Sequence, residues 1–362
     1  MLDDQIYMMK IGMISRWNAT CGVSVHAELL SKELVKMGYD LCVFAPTLKS
    51  AMKDWHHKLI KKFDEPWVIR CYAEPDENSA GWINYKTIIE EEPDILIIQS
   101  HIKLPVKSIS KLTHKLNSKI IAVVHNTCRE EVYWMLNAKI DALVVFDKRY
   151  LTEVLNEKIK RNRLVKIIPY PCPNFTPQRR IRPPSTEGKI LFFSFGRQPS
   201  REYSDFIKAL TALRNRYSSN LLYWIVRSNG ELNVKSSWIL QFKERPPLEK
   251  LLSYISGSNV HLIPKGRTEK VVVSSTVYQT IVAPTPIVTP NTRYVETIPT
   301  DNLGFGAIVK YHDIEDLKKK LIMLIEDETV KRKILAEARE FASKNSSTKV
   351  ARKFVDLFKQ LI

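Results

Sequence analysis

Residues 9–46 read MKIGMISRWNATCGVSVHAELLSKELVKMGYDLCVFAP. Two apolar runs in and around this stretch, Ile6–Ile14 and Asp40–Ala45, have the length and composition of buried strands. The intervening residues repeat leucine and valine on one face of a helix predicted over Val25–Met37, and Gly38 follows where a left-handed C-terminal cap is needed. The stretch therefore predicts a strand, a turn, a helix and a second strand, which is the opening of a parallel α/β sheet.

The same alternation of apolar runs and helical patterns continues to the end of the chain. Further strands are predicted at Trp67–Cys71, Ile95–Gln99, Lys119–His125, Ala142–Phe146, Val165–Pro169, Lys189–Phe195, Leu221–Val226, His261–Ile263 and Pro286–Thr289. Further helices are predicted at Glu202–Arg216, Leu248–Ser256, Ser275–Val282, Ile314–Ile325, Thr329–Lys344 and Ser347–Leu361. Strands that alternate with helices in this way indicate parallel sheets covered by helices on both faces.

The chain length predicts two domains, because 362 residues exceed what one hydrophobic core usually supports. Residues 171–188 read PCPNFTPQRRIRPPSTEG, and the five prolines leave little room for regular structure. We therefore expect a first domain over residues 1–172, a linker over 173–188 and a second domain over 189–345, followed by a last helix over 346–362.

Charge and cysteine content limit the function classes. The formal net charge of +17 favours phosphate-bearing substrates, anionic lipid or nucleic acid as partners. The sequence argues against nucleic acid, since no zinc-finger spacing, glycine-aromatic RNA-binding signature or helix-turn-helix pattern occurs. The five cysteines are scattered and never form Cys-x-x-Cys, which indicates reduced thiols and no zinc site. Without a long apolar run or a signal-peptide pattern, a cytoplasmic location is expected.

Motifs with a recognisable order lie along the whole chain. After the opening over Met9–Pro46 come PDILII at 93–98, VHN at 124–126 and IIPYP at 167–171. This order resembles glycosyltransferase family 4. The resemblance implies a GT-B fold of class α/β, with two Rossmann-like domains whose parallel sheets face a central cleft and a final helix that returns to the first domain. It also implies that a sugar is transferred from a nucleotide-sugar, such as a UDP- or GDP-sugar, to a hydroxyl acceptor with retention of configuration.

Two candidate site residues lie in the first domain. Gly22 belongs to the turn before the first helix, where free N–H groups and the positive end of the helix dipole favour an anion or sugar hydroxyls. The alternative is that Gly22 only permits a tight turn. The family resemblance implies that His125, at the end of its strand, faces the donor sugar, whereas a lone histidine can also be purely structural.

Three further candidates follow the first strand of the second domain. Residues 194–201, SFGRQPSR, resemble the family's strand, glycine-arginine pair and later basic residue. The resemblance implies a donor-binding turn at Gly196. Arg197 and Arg201 are expected to neutralise the departing diphosphate, a role that arginine fulfils without a metal. The alternative for either arginine is a solvated surface charge.

The expected donor loop departs from the family pattern. Family members usually carry two glutamates separated by seven residues, the first contacting the sugar and the second the ribose. Alignment on the proline and β-branched pair at 286–288 places Val271 at the first position and Gln279 at the second. The amide of Gln279 can still bind a ribose hydroxyl, and Glu269 is a hypothetical replacement for the missing carboxylate.

Ser274 and Ser275 stand where a helix N-terminus is expected. They can cap that helix, offer donors to a phosphate group, or both. Since arginines and helix dipoles supply positive charge, we expect no metal ligands and no cofactor other than the nucleotide-sugar itself.

A basic surface suggests an anionic partner. Lysines recur at every fourth position, at Lys103, Lys107, Lys111, Lys115 and Lys119, of what is predicted to be one helix. Residues 53–63, KDWHHKLIKKF, mix basic and apolar groups as membrane-surface segments do. The pattern favours peripheral attachment to an anionic membrane and a lipid-linked acceptor, with a solvated lysine face as the alternative.

Three other functions are compatible with these patterns. The altered glutamate pair suits a non-catalytic GT-B-fold protein that binds a glycan or a nucleotide. A sugar-nucleotide epimerase uses the same fold, and the charge alone is compatible with a nucleic-acid-binding protein. Release of nucleoside diphosphate only in the presence of an acceptor distinguishes transfer from these alternatives.

Overall fold

The computed structural model describes residues 9–53, 63–177, 179–217 and 220–362. Its strands are β1 (Lys10–Ile14), β2 (Asp40–Pro46), β3 (Val68–Ala73), β4 (Trp82–Ile83), β5 (Ile95–Ser100), β6 (Lys119–Val124), β7 (Ala142–Val145), β8 (Leu164–Ile167), β9 (Ile190–Gly196), β10 (Leu221–Arg227), β11 (Ile239–Lys243), β12 (Val260–Leu262), β13 (Ile287–Pro290) and β14 (Val309–Tyr311). Its α-helices are α1 (Gly22–Lys36), α2 (Leu48–Ala51), α3 (Tyr85–Glu90), α4 (Val106–Thr113), α5 (Glu157–Lys160), α6 (Ser204–Tyr217), α7 (Leu248–Ser256), α8 (Ser275–Thr280), α9 (Ile314–Glu326), α10 (Glu328–Lys344) and α11 (Ser347–Leu361). Short 3-10 helices cover Glu130–Asn137 and Ser200–Tyr203, and a π-helical turn covers Tyr150–Val154.

The chain divides into two compact units. The first contains the described residues up to Pro171, together with Lys270–Val272 and Ser347–Ile362. The second contains Cys172–Glu269 and Val273–Ser346, and therefore includes the proline-rich segment for which the sequence predicts a linker.

The first unit is built on one sheet, whose eight strands among the described residues run in the order β4-β3-β2-β1-β5-β6-β7-β8. Its neighbouring strands are parallel, apart from the antiparallel pair β3 and β4. Met13 of β1 pairs with Val43 of β2 and with Ile97 of β5, and all three are fully buried. Burial on both faces of the sheet explains why the central strands read as nearly continuous apolar runs.

The first predicted helix is confirmed as α1, although it begins at Gly22 rather than Val25. Leu34 on its apolar face is fully buried. Gly38 adopts a φ of +90° and donates its N–H to the Val35 carbonyl at 3.0 Å. The left-handed end of the helix is therefore present, and glycine suits it because it has no Cβ to clash.

The C-terminal helix α11 packs against α1 within the first unit. Phe354 and Phe358 are fully buried, and the Phe358 ring lies 6.3 Å from the ring of Tyr39. The Thr348 hydroxyl also donates to Glu33 at 2.6 Å. Burial of two large aromatic side chains makes α11 a structural part of this unit.

The second unit is built on an all-parallel sheet, in which six strands among the described residues run in the order β11-β10-β9-β12-β13-β14. Consecutive residues of β9 enter different cores: Phe192 packs in one buried cluster with Phe206 of α6, and Phe193 packs in another with Trp224 and Leu252. This alternation follows from the two-residue period of a strand with helices on both faces.

The predicted lysine-rich helix is wrong. Helix α4 covers only Val106–Thr113, so Lys107 and Lys111 lie on it while Lys119 begins strand β6. Pro105 is the N-cap, and its ring disfavours a helical conformation of the preceding residue. The helix therefore starts after the proline, and the five lysines do not form one helical stripe. The basic segment predicted to contact membrane lies, from residue 54 to residue 62, outside the described residues.

Candidate functional site

In each sheet, the strand order reverses at one pair of neighbouring strands. The chain first adds strands on one side of its first strand and then crosses over to add the remaining strands on the other side. The pair is β1 and β5 in the first unit and β9 and β12 in the second. In open parallel sheets, ligands bind beyond the carboxyl ends of the strands at such a switch point. A ligand site is therefore expected among the residues that follow these four strands.

In the second unit, β9 ends at Gly196 with a φ of +127°, a conformation that residues with a side chain rarely adopt. The turn brings Arg197 to the carboxyl edge of the sheet, where its backbone carbonyl accepts a hydrogen bond from the Asn229 side chain at 3.3 Å. Burial and the nearby charge of Arg197 together lower the pKa of Arg245. Two guanidinium groups therefore repel each other at this edge, and an anion bound there would relieve the repulsion.

A third arginine shapes the same loop. Arg227 is buried and donates to the carbonyls of Gly230 at 2.9 Å and Gln198 at 3.1 Å, while its guanidinium lies 5.4 Å from the centre of the Tyr203 ring. This arginine is thus engaged in holding the backbone after β9. Arg201, by contrast, is exposed in the 3-10 helix that follows.

Lys265 was not identified from the sequence, yet it follows β12 on the other side of the switch point. Its Nζ lies 4.8 Å from the centre of the Tyr294 ring. Burial lowers the pKa of Lys265 to about 8, an effect that the charge of Glu202 partly opposes. Lys265 forms no ion pair with a carboxylate in the part of the chain that the structure describes. A partly buried ammonium group that no carboxylate contacts directly can still attract an anion.

The two serines of the expected donor loop serve the start of α8. The N–H of Ser274 donates to the carbonyl of Tyr294 at 3.0 Å, so this loop and Lys265 share one tyrosine. The Ser274 hydroxyl accepts the N–H of Val277 at 3.4 Å, and Ser275 donates its N–H to Val273 at 2.9 Å. The Ser274 hydroxyl therefore caps the helix, as the sequence suggested.

The altered glutamate positions differ in their surroundings. Val271 belongs to the first unit, is 2% exposed, and donates its N–H to the Thr127 carbonyl at 3.2 Å. Gln279 is partly buried on α8 in the second unit. Glu269 is exposed, and its backbone carbonyl accepts a hydrogen bond from Arg293 at 2.9 Å. Val271 is thus a packed apolar residue where the family resemblance implies a carboxylate.

In the first unit, a buried ion pair lies at the switch point. Arg16, just after β1, binds Glu74 through two hydrogen bonds of 2.6 and 2.9 Å. His101, which follows β5, has its Nε2 3.8 Å from the same carboxylate. Burial raises the pKa of Glu74, and hydrogen bonding and the charge of Arg16 oppose this effect. Sequence reasoning missed this cluster because its members are far apart in the chain and form no motif.

The start of α1 is capped by the protein itself. Cys21 is the N-cap, and its Sγ accepts the N–H of Ser24 at 3.4 Å. The Ser24 hydroxyl donates to Glu28 at 2.8 Å. Gly22 begins the helix, and its carbonyl accepts the Tyr170 hydroxyl at 2.7 Å. Part of the hydrogen-bonding capacity of this turn is therefore already used within the first unit.

His125 lies directly after β6, with its Nε2 2.7 Å from Gln99 Oε1. Because a carbonyl oxygen can only accept, Nε2 carries the hydrogen and Nδ1 is left as an acceptor. The ring also lies 5.1 Å from that of the fully buried His26 and 4.9 Å from that of Phe146. Burial, with a smaller effect of His26, lowers the pKa of His125 well below its usual range, and burial lowers that of His26 to about 3. Both imidazoles are therefore neutral near pH 7.

The structure also bears on metal sites, disulfides and membrane-spanning helices. Over the described ranges, no cluster of three or more histidine, cysteine, aspartate or glutamate side chains has the geometry to hold a metal ion. All five cysteines are free thiols. No helix among the described residues has both the length and the apolar character needed to cross a membrane.

Comparison with solved structures identifies the fold. The chain superposes on Anabaena HepE in complex with UDP-glucose with a TM-score of 0.65 at 11% identity, covering 98% of this chain and 100% of that one. It superposes on a glycosyltransferase from Rickettsia africae ESF-5 with a TM-score of 0.64 at 16% identity, covering 98% of both chains. It also superposes on the pneumococcal O-GlcNAc transferase GtfA, in complex with UDP and GlcNAc, with a TM-score of 0.66 at 10% identity and coverages of 98% and 99%. No protein-family model matches the sequence. The chain therefore has the GT-B fold predicted from its sequence.

Proposed function

We propose that this protein is a glycosyltransferase that moves a sugar from a nucleotide-sugar to a hydroxyl acceptor. The observation that carries the proposal is the cationic edge of the second sheet, where Arg197 and Lys265 follow the two strands of the switch point. A nucleoside diphosphate is the leaving group that such an edge suits. Because HepE and GtfA were solved with UDP, a UDP-sugar is the first donor to test.

The proposed chemistry of the second unit is electrostatic. As the glycosidic bond to the donor breaks, negative charge grows on the diphosphate, and fixed cations lower the energy of that state. Arg197 and Lys265 supply these cations, and Arg201 adds a third, exposed charge. Since these groups provide the positive charge, we propose that the reaction requires no metal. Gln279 is proposed to bind the ribose, with Glu269, Ser274 and Ser275 as donor-loop residues.

The proposed chemistry of the first unit is hydroxyl recognition. His125 is neutral, and with its Nε2 hydrogen bonded to Gln99 its Nδ1 is left as an acceptor. It therefore suits a sugar hydroxyl better than an anionic phosphate, which needs donors. Gly22 is proposed to line the same ligand region at the start of α1, and retention of anomeric configuration follows from the family resemblance. The proposed location is cytoplasmic.

A second candidate function is a non-catalytic binding protein with the same fold. Its supporting observation is Val271, which is buried and apolar where the family resemblance implies a glutamate that contacts the sugar. Such a protein would bind the nucleotide-sugar without consuming it. A sugar-nucleotide epimerase would convert the donor without any acceptor. The products formed with and without acceptor therefore separate the three functions.

The first experiment measures ligand binding by thermal unfolding. Purified protein is screened against UDP-, GDP- and ADP-sugars, because a ligand that binds only the native state raises the unfolding midpoint. The bound donor is then incubated with and without candidate hydroxyl acceptors, and free nucleoside diphosphate is quantified. Acceptor-dependent release supports transfer, and binding without release supports the second candidate. Loss of activity with chelator and its recovery with a divalent ion would overturn the metal-independent mechanism.

Peripheral membrane attachment and a lipid-linked acceptor are part of the same proposal. They rest on the net charge of +17, which favours anionic surfaces. Sedimentation with liposomes containing anionic lipid, at physiological salt, measures the attachment directly. Protein that stays in the supernatant with anionic as with neutral liposomes would exclude it.

A further inference from the structure

A cavity of about 370 Å³ lies in the second unit, away from the switch point. Its lining includes Ser256, which precedes β12, and Ile281–Pro284, which precede β13. These residues lie at the amino ends of the strands, whereas Arg197 and Lys265 follow their carboxyl ends. The cavity is thus at the opposite edge of the sheet from the proposed donor site, and its volume is in the range of small-molecule pockets.

Three arginines surround this cavity. Arg179 and Arg180 come from the proline-rich segment, and Arg339 comes from α10. Each is exposed, and none forms a hydrogen bond or ion pair with another described residue. The described lining contains neither aspartate nor glutamate. Three guanidinium groups therefore carry positive charge around one cavity, and a multiply charged anion would compensate it.

The wall of the cavity also contains an unpaired buried hydroxyl. Ser256 is 7% exposed, and its Oγ has no hydrogen-bond partner among the described residues. This oxygen has almost no exposed surface, so it belongs to the packed wall behind the cavity and does not itself contact a ligand there. The carbonyls at the adjacent end of α7 do not oppose an anion strongly, because Thr285 binds the Ile255 carbonyl and Arg182 binds that of Gly257, each at 2.8 Å.

The remaining wall is apolar. Ile281, Val282 and Pro284 after α8 and Leu335 on α10 line the cavity. Leu335 and Arg339 are one helical turn apart, so apolar and cationic groups meet on one face of α10. A ligand that combines an apolar portion with a charged head matches this arrangement better than a bare inorganic ion does.

We propose that this cavity is a second ligand site, which binds an organic phosphate monoester through Arg179, Arg180 and Arg339 and holds its apolar portion against Leu335 and its neighbours. The phosphate can belong to a free small molecule or to a lipid headgroup. The site is independent of the proposed glycosyl transfer, because the residues that form it are different.

The test uses the full chain, with phenyl phosphate as the probe and isothermal calorimetry as the measurement. Arg180→Gln and Arg339→Gln each remove one cation and should each weaken phenyl phosphate binding about tenfold, because they remove a charged hydrogen bond. Arg332→Gln is the matched control on α10, because Arg332 is exposed and does not line the cavity. Arg197→Gln is the control for the donor site.

Each outcome bears on the proposal. Phenyl phosphate binding that weakens in both cavity variants and not in the two controls supports a free phosphate monoester. Binding only to phosphatidylcholine vesicles that contain phosphatidic acid, with the same dependence on Arg180 and Arg339, supports a lipid headgroup. No binding to either probe, equal effects of Arg332→Gln, or loss only in Arg197→Gln would overturn the second site. If the protein failed to bind UDP, the proposed function would fail, but these results on the second site would be unchanged.

Discussion

Replacement of Lys265 by methionine should have opposite effects on stability and on ligand binding. Methionine keeps much of the side-chain volume but removes the ammonium group. Burial lowers the pKa of Lys265 from 10.5 to about 8, which corresponds to at most about 3 kcal/mol of unfavourable free energy in the folded protein. Because the side chain is partly exposed, solvent screening reduces this to about 1–2 kcal/mol. Lys265→Met should therefore raise the unfolding midpoint by about 2–4 °C at pH 7 without ligand.

The stability difference between Lys265→Met and the original protein should also depend on pH, which gives a second measurement of the same effect. Below pH 8 the ammonium is charged in both the folded and the unfolded chain, so its full cost is present. Between pH 8 and 10.5 the folded protein loses this proton first, and the cost disappears as the pH rises. The stability advantage of Lys265→Met should thus shrink over this range, while UDP affinity of the original protein should fall as the ammonium titrates.

The assay is thermal unfolding with and without 1 mM UDP at pH 7 and pH 9.5. UDP should stabilise the original protein more at pH 7, and Lys265→Met should lose about tenfold or more in affinity at that pH. Lys265→Arg is the matched control, since it keeps the charge; any loss of UDP affinity at pH 9.5 that it shares with the original protein comes from other groups, including the uracil ring, and not from Lys265. A variant that is destabilised and binds UDP normally would show that Lys265 is a packing residue, and the reasoning would be wrong.

Three other perturbations test the same edge of the second sheet. Arg197→Gln should raise the UDP dissociation constant measured by calorimetry about tenfold or more. The control Arg352→Gln, on the exposed face of α11, should leave this constant unchanged. Equal effects of the two substitutions would refute a specific role of Arg197. Gly196→Ala should lower the free energy of unfolding in urea by about 1–3 kcal/mol, because residue 196 has a positive φ. An unaltered unfolding midpoint would contradict this backbone strain. Gln279→Ala should raise the donor dissociation constant severalfold, and unchanged donor binding would remove Gln279 from the site.

The fold was predictable because it depends on patterns that are local in the chain. The apolar runs and the helical repeat of residues 9–46 correspond to β1, α1 and β2 of the structure, and the glycine at position 38 has the left-handed conformation that the sequence predicts. The errors also have local causes. Strands β4, β11 and β14 were not predicted from the sequence, and the lysine repeat suggested one long helix because the effect of Pro105 was not weighed against it.

The candidate site was predictable only where a motif marks it. Arg197 follows a glycine in a recognisable sequence motif, so its position at the end of a strand could be predicted. The roles of Lys265 and of the Arg16–Glu74 pair depend on burial and on neighbours distant in sequence. Nothing in a single sequence shows that a lysine lies over a tyrosine ring or lacks a carboxylate partner. Such groups appear only when the sheet brings separate segments together.

The buried Val271 bears on which part of a donor this protein distinguishes. A glutamate at this position would present a carboxylate to a sugar, and a site built from such hydrogen bonds rejects ligands that leave them unpaired. Val271 instead packs in the first unit at 2% exposure and offers its backbone N–H to Thr127. Under the proposed function, donor binding should then depend mainly on the charge of the diphosphate at the carboxyl edge of the second sheet. Affinity should consequently follow the diphosphate closely and vary little among sugars.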